Sequence, residues 1–61
     1  MFKDAKPISQ YYDAGRKAGK TYIEMQKRLK VIDSYQAEYG DWTLYEDDEG
    51  NRWEDYFSIG D

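Results

Sequence analysis

The stretch TYIEMQKRLKVIDSYQAEYG, Thr21 to Gly40, decides how the rest of the chain folds around it. Tyr22, Met25, Leu29, Ile32, Gln36 and Tyr39 recur within it at spacings of three and four, the repeat that places side chains on one face of a helix. Traced backwards, the same spacing takes in Ala18, Gly15, Tyr11 and Ile8. One amphipathic helical segment is therefore expected over residues 8–39. Pro7 and Ser9 suit its first turn, because proline has no amide to leave unpaired and serine can cap those that are. Gly40 suits its end, where a left-handed residue commonly closes a helix. Asp13 with Lys17 and Glu24 with Arg28 add pairs four residues apart in the favourable order. Ile23 and Val31 flank the stripe, so the expected buried face is wide enough for a second helix and a hairpin.

The run AGRKAG, Ala14 to Gly19, interrupts this pattern. A glycine inside a helix costs about 1 kcal/mol, so the pair marks either a close contact or a kink. A kink would leave a short first helix and a second from Lys20 to Gly40. GRKAGK does not meet the phosphate-loop pattern, which needs four residues between its glycines and a preceding strand.

Beyond Gly40 the period changes. Trp42, Leu44 and Glu46 alternate with Thr43 and Tyr45, DDEGN supplies turn chemistry, and Arg52 to Ile59 returns with further apolar positions. A β-hairpin over residues 42–59 follows, with Gly50 at positive φ in a three-residue loop closed by a bulge. That register sets Glu46 opposite Arg52 and Tyr45 opposite Trp53. A hairpin is marginal alone, so one of its faces must lie on the helix. The expected fold is α+β: one domain, 1–61, with a long N-terminal helix packed on a C-terminal antiparallel hairpin.

A chain of 61 residues without cysteine has one small core and no disulfide to brace it. Its 11 aromatic residues and the seam therefore suggest a homo-oligomer, a dimer by preference, joined through Tyr11, Gly15, Ala18, Tyr22, Met25, Leu29 and Ile32. No apolar run is long enough to span a bilayer and MFKDAKPIS lacks the core of a secretion signal, so a cytoplasmic protein without membrane partners is expected.

Charge divides the chain. Residues 1–30 carry eight basic and three acidic residues, a balance of +5, whereas residues 31–61 carry one arginine and ten acids, a balance of −9. Catalysis is not expected: histidine and cysteine are absent, and nothing sets one carboxylate's environment apart from another's. No cofactor is expected. Asp47, Glu49 and Asn51 alternate like calcium ligands, but an EF-hand counted from Asp47 puts Arg52 and Ser58 where glycine and glutamate belong, so no metal site is expected.

Three functional readings remain. The first is an interaction module, even an inhibitor that imitates nucleic acid, in which Trp42, Glu46, Asp47, Asp48, Glu49, Trp53, Glu54, Asp55 and Tyr56 meet a basic surface on a partner protein. The second is a DNA-binding protein that sets Arg16, Lys17, Lys20, Lys27, Arg28 and Lys30 against phosphates. The third is a structural subunit whose task is self-assembly. The bland alternative for both charged faces is simple solvation.

Overall fold

A computed structural model describes residues 2–58. A two-residue strand β1 (Lys6–Pro7) leads into helix α1 (Ile8–Lys17) and a shorter helix α2 (Tyr22–Lys27). Strands β2 (Lys30–Gln36), β3 (Gly40–Glu46) and β4 (Arg52–Ser58) complete it. The sheet has four strands in the order β1-β4-β3-β2, with β1 parallel to β4 and the other pairs antiparallel.

The α+β class and the hairpin agree with the sequence reading; the long helix does not. Instead of one segment over 8–39, the helical part is two short helices and the stretch from Lys30 is a strand. The spacing of three and four continues across KVIDSYQ, where Val31, Ile32 and Tyr35 also favour extended backbone. Tertiary demand decided between the two. β3 is flanked on both sides, so the hairpin gains the third long strand that an independent sheet needs. A bulge between Val31 and Asp33 shifts the register, bringing Lys30, Asp33 and Tyr35 onto one face opposite Glu46, Leu44 and Trp42. Gly40 ends no helix. It opens β3, buried where an added Cβ would overlap the Tyr56 ring and the Phe57 carbonyl.

The break between the helices has a local cause. Gly19 adopts φ +80°, its amide donates to the Arg16 carbonyl at 3.0 Å, and the Lys20 amide donates to the Gly15 carbonyl at 2.9 Å. These two bonds form a Schellman ending, which pairs carbonyls the helix would otherwise leave open. Thr21 then starts α2, its hydroxyl accepting from the Glu24 amide at 3.2 Å and donating to the Glu24 carboxylate at 3.1 Å. AGRKAG thus serves both roles expected of it, since Gly15 is also a close contact: a Cβ there would overlap Met25 Sδ.

Met25, 2% exposed, fills the space between the helices. Tyr11 ties α1 to this centre by donating its hydroxyl proton to the Met25 carbonyl at 2.7 Å, and its ring lies 5.4 Å from that of Trp53 on β4. The two helical ion pairs expected are replaced by others, Asp13 meeting Arg16 and Arg28 reaching Asp48 at 4.0 Å, whereas the cross-strand pair of Arg52 with Glu46 is present at 3.7 Å.

Candidate protein-interaction surface

The hairpin turn holds its shape through Asp47. Its carboxylate accepts from the amides of Glu49 and Asn51, each at 2.9 Å, and from the indole Nε1 of Trp53 at 3.0 Å. Partial burial would raise its pKa, but these donors outweigh that and hold it below the usual aspartate value. The Gly50 amide donates to the Asp47 carbonyl at 3.1 Å, and the Asp47 amide to the Asn51 carbonyl at 3.0 Å. Gly50 has φ +84°, as the proposed loop requires, and Tyr45 pairs with Trp53 and Glu46 with Arg52 in the expected register. Ile59, the last residue of the expected hairpin, lies outside the described residues.

Strand alternation then sorts the nine residues of the expected protein-binding surface into three groups. Trp42, Glu46, Glu54 and Tyr56 share one face of the sheet with Leu44. Trp53 and Asp55 share the other face with Tyr45, where Trp53 meets α1. Asp47, Asp48 and Glu49 sit in the turn, Asp47 committed to its internal bonds and the other two exposed.

The first face carries a row of rings. Phe2 lies 5.1 Å from Tyr35, Tyr35 stacks 6.5 Å from Trp42, and Trp42 lies 4.9 Å from Tyr56. Tyr35 and Tyr56 are each 41% exposed and Trp42 is half-buried, so the row is open to a partner along much of its length. Glu54 is buried in this face, accepting from the Phe2 amide at 2.7 Å. Phe2 and Tyr35 escaped the sequence reading. Tyr35 is off the helical seam, and nothing in the sequence ties Phe2 to a strand more than 30 residues away.

The basic residues lie apart from this row and close to the acidic turn. Lys27, Arg28 and Lys30 surround a recess with Glu46, Asp47 and Asp48, and Lys20 lines another with Asp47 and Glu49. Arg16 is paired with Asp13, while Lys17 is exposed at the end of α1. At these two recesses basic residues of the first half stand beside acids of the second.

The residues expected at a dimer seam are likewise distributed. Tyr11, Gly15 and Met25 belong to the helix core, Ala18 lies at the end of α1, and Leu29 links α2 to β2. Ile32 stands at the β2 bulge. Tyr22 packs with its ring 5.1 Å from that of Tyr12 over an open groove of about 460 Å3 lined also by Ser9, Asp13, Arg16 and Met25. Burial first, then a hydrogen bond with Tyr22, pushes the Tyr12 hydroxyl up to about 12.

Among the described residues no group of acidic side chains is placed to hold a metal ion, and no helix is long and apolar enough to cross a membrane. No protein-family model, curated protein or solved structure matches the chain.

Proposed function

We propose that the chain is a non-enzymatic interaction module that presents the acidic, aromatic side of its β3–β4 hairpin to a basic site on another protein. The observation that carries this reading is the part-exposed ring row Tyr35, Trp42, Tyr56 on the sheet face that also carries Asp33, Glu46, which pairs with Arg52 at 3.7 Å and stands opposite Lys30, and Glu54, which is bonded to the Phe2 amide. Aromatic anchors beside carboxylates suit a cationic partner, with charge speeding encounter and ring burial slowing release. Exposed Asp48 and Glu49 extend the negative field from the turn. Direct DNA binding is less well supported, because Arg28 and Lys30 face carboxylates of the same chain.

The test begins with affinity capture from the source cell and proceeds to binding measurements with the purified partner at several salt concentrations. Asp48→Asn with Glu49→Gln should slow association several-fold at low salt, and Trp42→Ala should speed dissociation about tenfold. Asp47 is left unchanged because the turn depends on it. Native binding by both variants, with circular dichroism showing intact folds, would reject the reading. Recovery of the chain's own copies alone would transfer the proposal to self-assembly.

A further inference from the structure

The outer edge of β4 is only partly used. β1 pairs with it through Lys6 opposite Trp53 and Pro7 opposite Glu54, and no described strand pairs with that edge from Asp55 to Ser58. The pairing segment is weakly held. It is two residues long, and one of them is a proline with no amide to donate. Just before it, Asp4 adopts φ +65°, a left-handed turn conformation that aspartate takes up more readily than most residues and that ends any strand pairing on that side. Phe2 then lays its ring against Tyr35 and gives its amide proton to buried Glu54. Residues 2–7 thus have the makeup of a bound ligand. They form a segment with an aromatic ring and two lysines, Lys3 and Lys6, against the single acid Asp4, and its strand lies along an edge that carries Glu54 and Asp55.

We infer that the β4 edge and its adjoining ring row form a strand-addition site for an extended cationic segment bearing an aromatic residue, and that residues 2–7 fill this site in cis. The inference rests on the proposed function and names the chemistry of its partner. A segment tethered this closely acts at an effective concentration in the millimolar range, so a weak site stays filled. An incoming strand gains what the strap lacks, backbone pairing along Asp55–Ser58, and supplies its own ring and donor in place of those of Phe2.

The probe is a peptide with the sequence of residues 1–7 followed by Thr-Val-Thr-Val, four residues that continue the strand as far as Ser58, titrated to millimolar concentration into the full-length, isotope-labelled native protein and its Phe2→Ala variant. A control peptide has alanine in place of phenylalanine. The variant should show saturable NMR shifts at the β4 amides and the Trp42 indole, the native protein should bind at least tenfold more weakly, and the control should lose most of the effect. A well-dispersed variant spectrum without β4 shifts, or equal affinity for both proteins, would overturn the inference. Should the variant lose its fold, hydrogen exchange in the native protein decides: β1–β4 bonds opening at least tenfold more often than β3–β4 bonds supports the strap, and equal opening rejects it. The two levels fail separately. A purified basic partner that binds with the expected salt dependence but is indifferent to Phe2→Ala removes the strap and leaves the proposed function standing.

Discussion

Asp47 shows how one side chain in an acidic run can be structural while its neighbours are not. Asn at this position keeps one acceptor oxygen for the amides of Glu49 and Asn51 but turns an amino group toward Trp53 Nε1, a donor already. Asp47→Asn should therefore cost about 1–3 kcal/mol at neutral pH. Because the folded-state pKa is depressed, this contribution is present above the unfolded carboxylate value and disappears as pH falls through the lower folded value. Urea titrations of native and variant protein should accordingly differ most near neutral pH and converge as the pH falls through the depressed folded value. Tyr12 makes the opposite demand. Its raised pKa favours the folded state below the unfolded tyrosine value, and that benefit is lost as pH rises from about 10 to about 12. Alkaline unfolding followed by circular dichroism should be shallower over that window in Tyr12→Phe. Gly50, at φ +84° with open space around it, should lose about 1–2 kcal/mol on change to alanine through backbone strain alone, whereas Glu49→Ala should be nearly silent.

Between elements, the contact that sets the helix pair is Gly15 against Met25. An alanine at Gly15 gains about 1 kcal/mol of helix propensity yet drives its methyl group into the Met25 thioether. Overpacking of this kind costs about 1–3 kcal/mol, so Gly15→Ala should destabilise the native chain. In a Met25→Ala background the same change should become neutral or favourable, and a double-mutant cycle measured by chemical denaturation would expose the coupling. Additive effects would mean that the two helices do not meet through this pair. The elements of the sheet are held differently: β3 is paired on both sides, while β2 is an edge whose bulge and whose Lys30 and Asp33 guard against open-ended pairing.

At the scale of the whole molecule, burial is thin. Among the described residues Met25 and Leu44 are the buried large apolar side chains, and Ile23, Val31, Tyr39 and Phe57 are all more than half exposed. The surface of 4707 Å2 exceeds the roughly 4,200 Å2 expected of a monomer of this mass. That excess motivates a direct test for association. Sedimentation equilibrium across micromolar to millimolar concentration should show reversible self-association, weakened by Ile32→Lys on the exposed β2 edge. A stable monomer throughout would assign the exposed rings to a different protein.

The hairpin was legible in the sequence because its signals are local. A turn cluster with glycine at the one position needing positive φ sets the loop, the loop sets the register, and alternation assigns the faces. The interruption at Ala14–Gly19 was legible for the same reason, and so was the start at Ile8 directly after Pro7, although Ser9 makes no cap there. The stretch from Lys30 to Gln36 was not, since its side chains satisfy a helical period and a strand preference at once, and no neighbouring residue breaks the tie. Only the open edge of β3, a partner reached through tertiary folding, made extended backbone the better solution. That choice turned the expected helix seam into parts of a core, a groove and an edge, and brought Tyr35 beside Trp42 and against the Phe2 ring. Composition and turn chemistry determined which groups the chain can offer; the added strand decided which of them stand together, because side-chain neighbours across a sheet are set by pairing and not by distance along the chain.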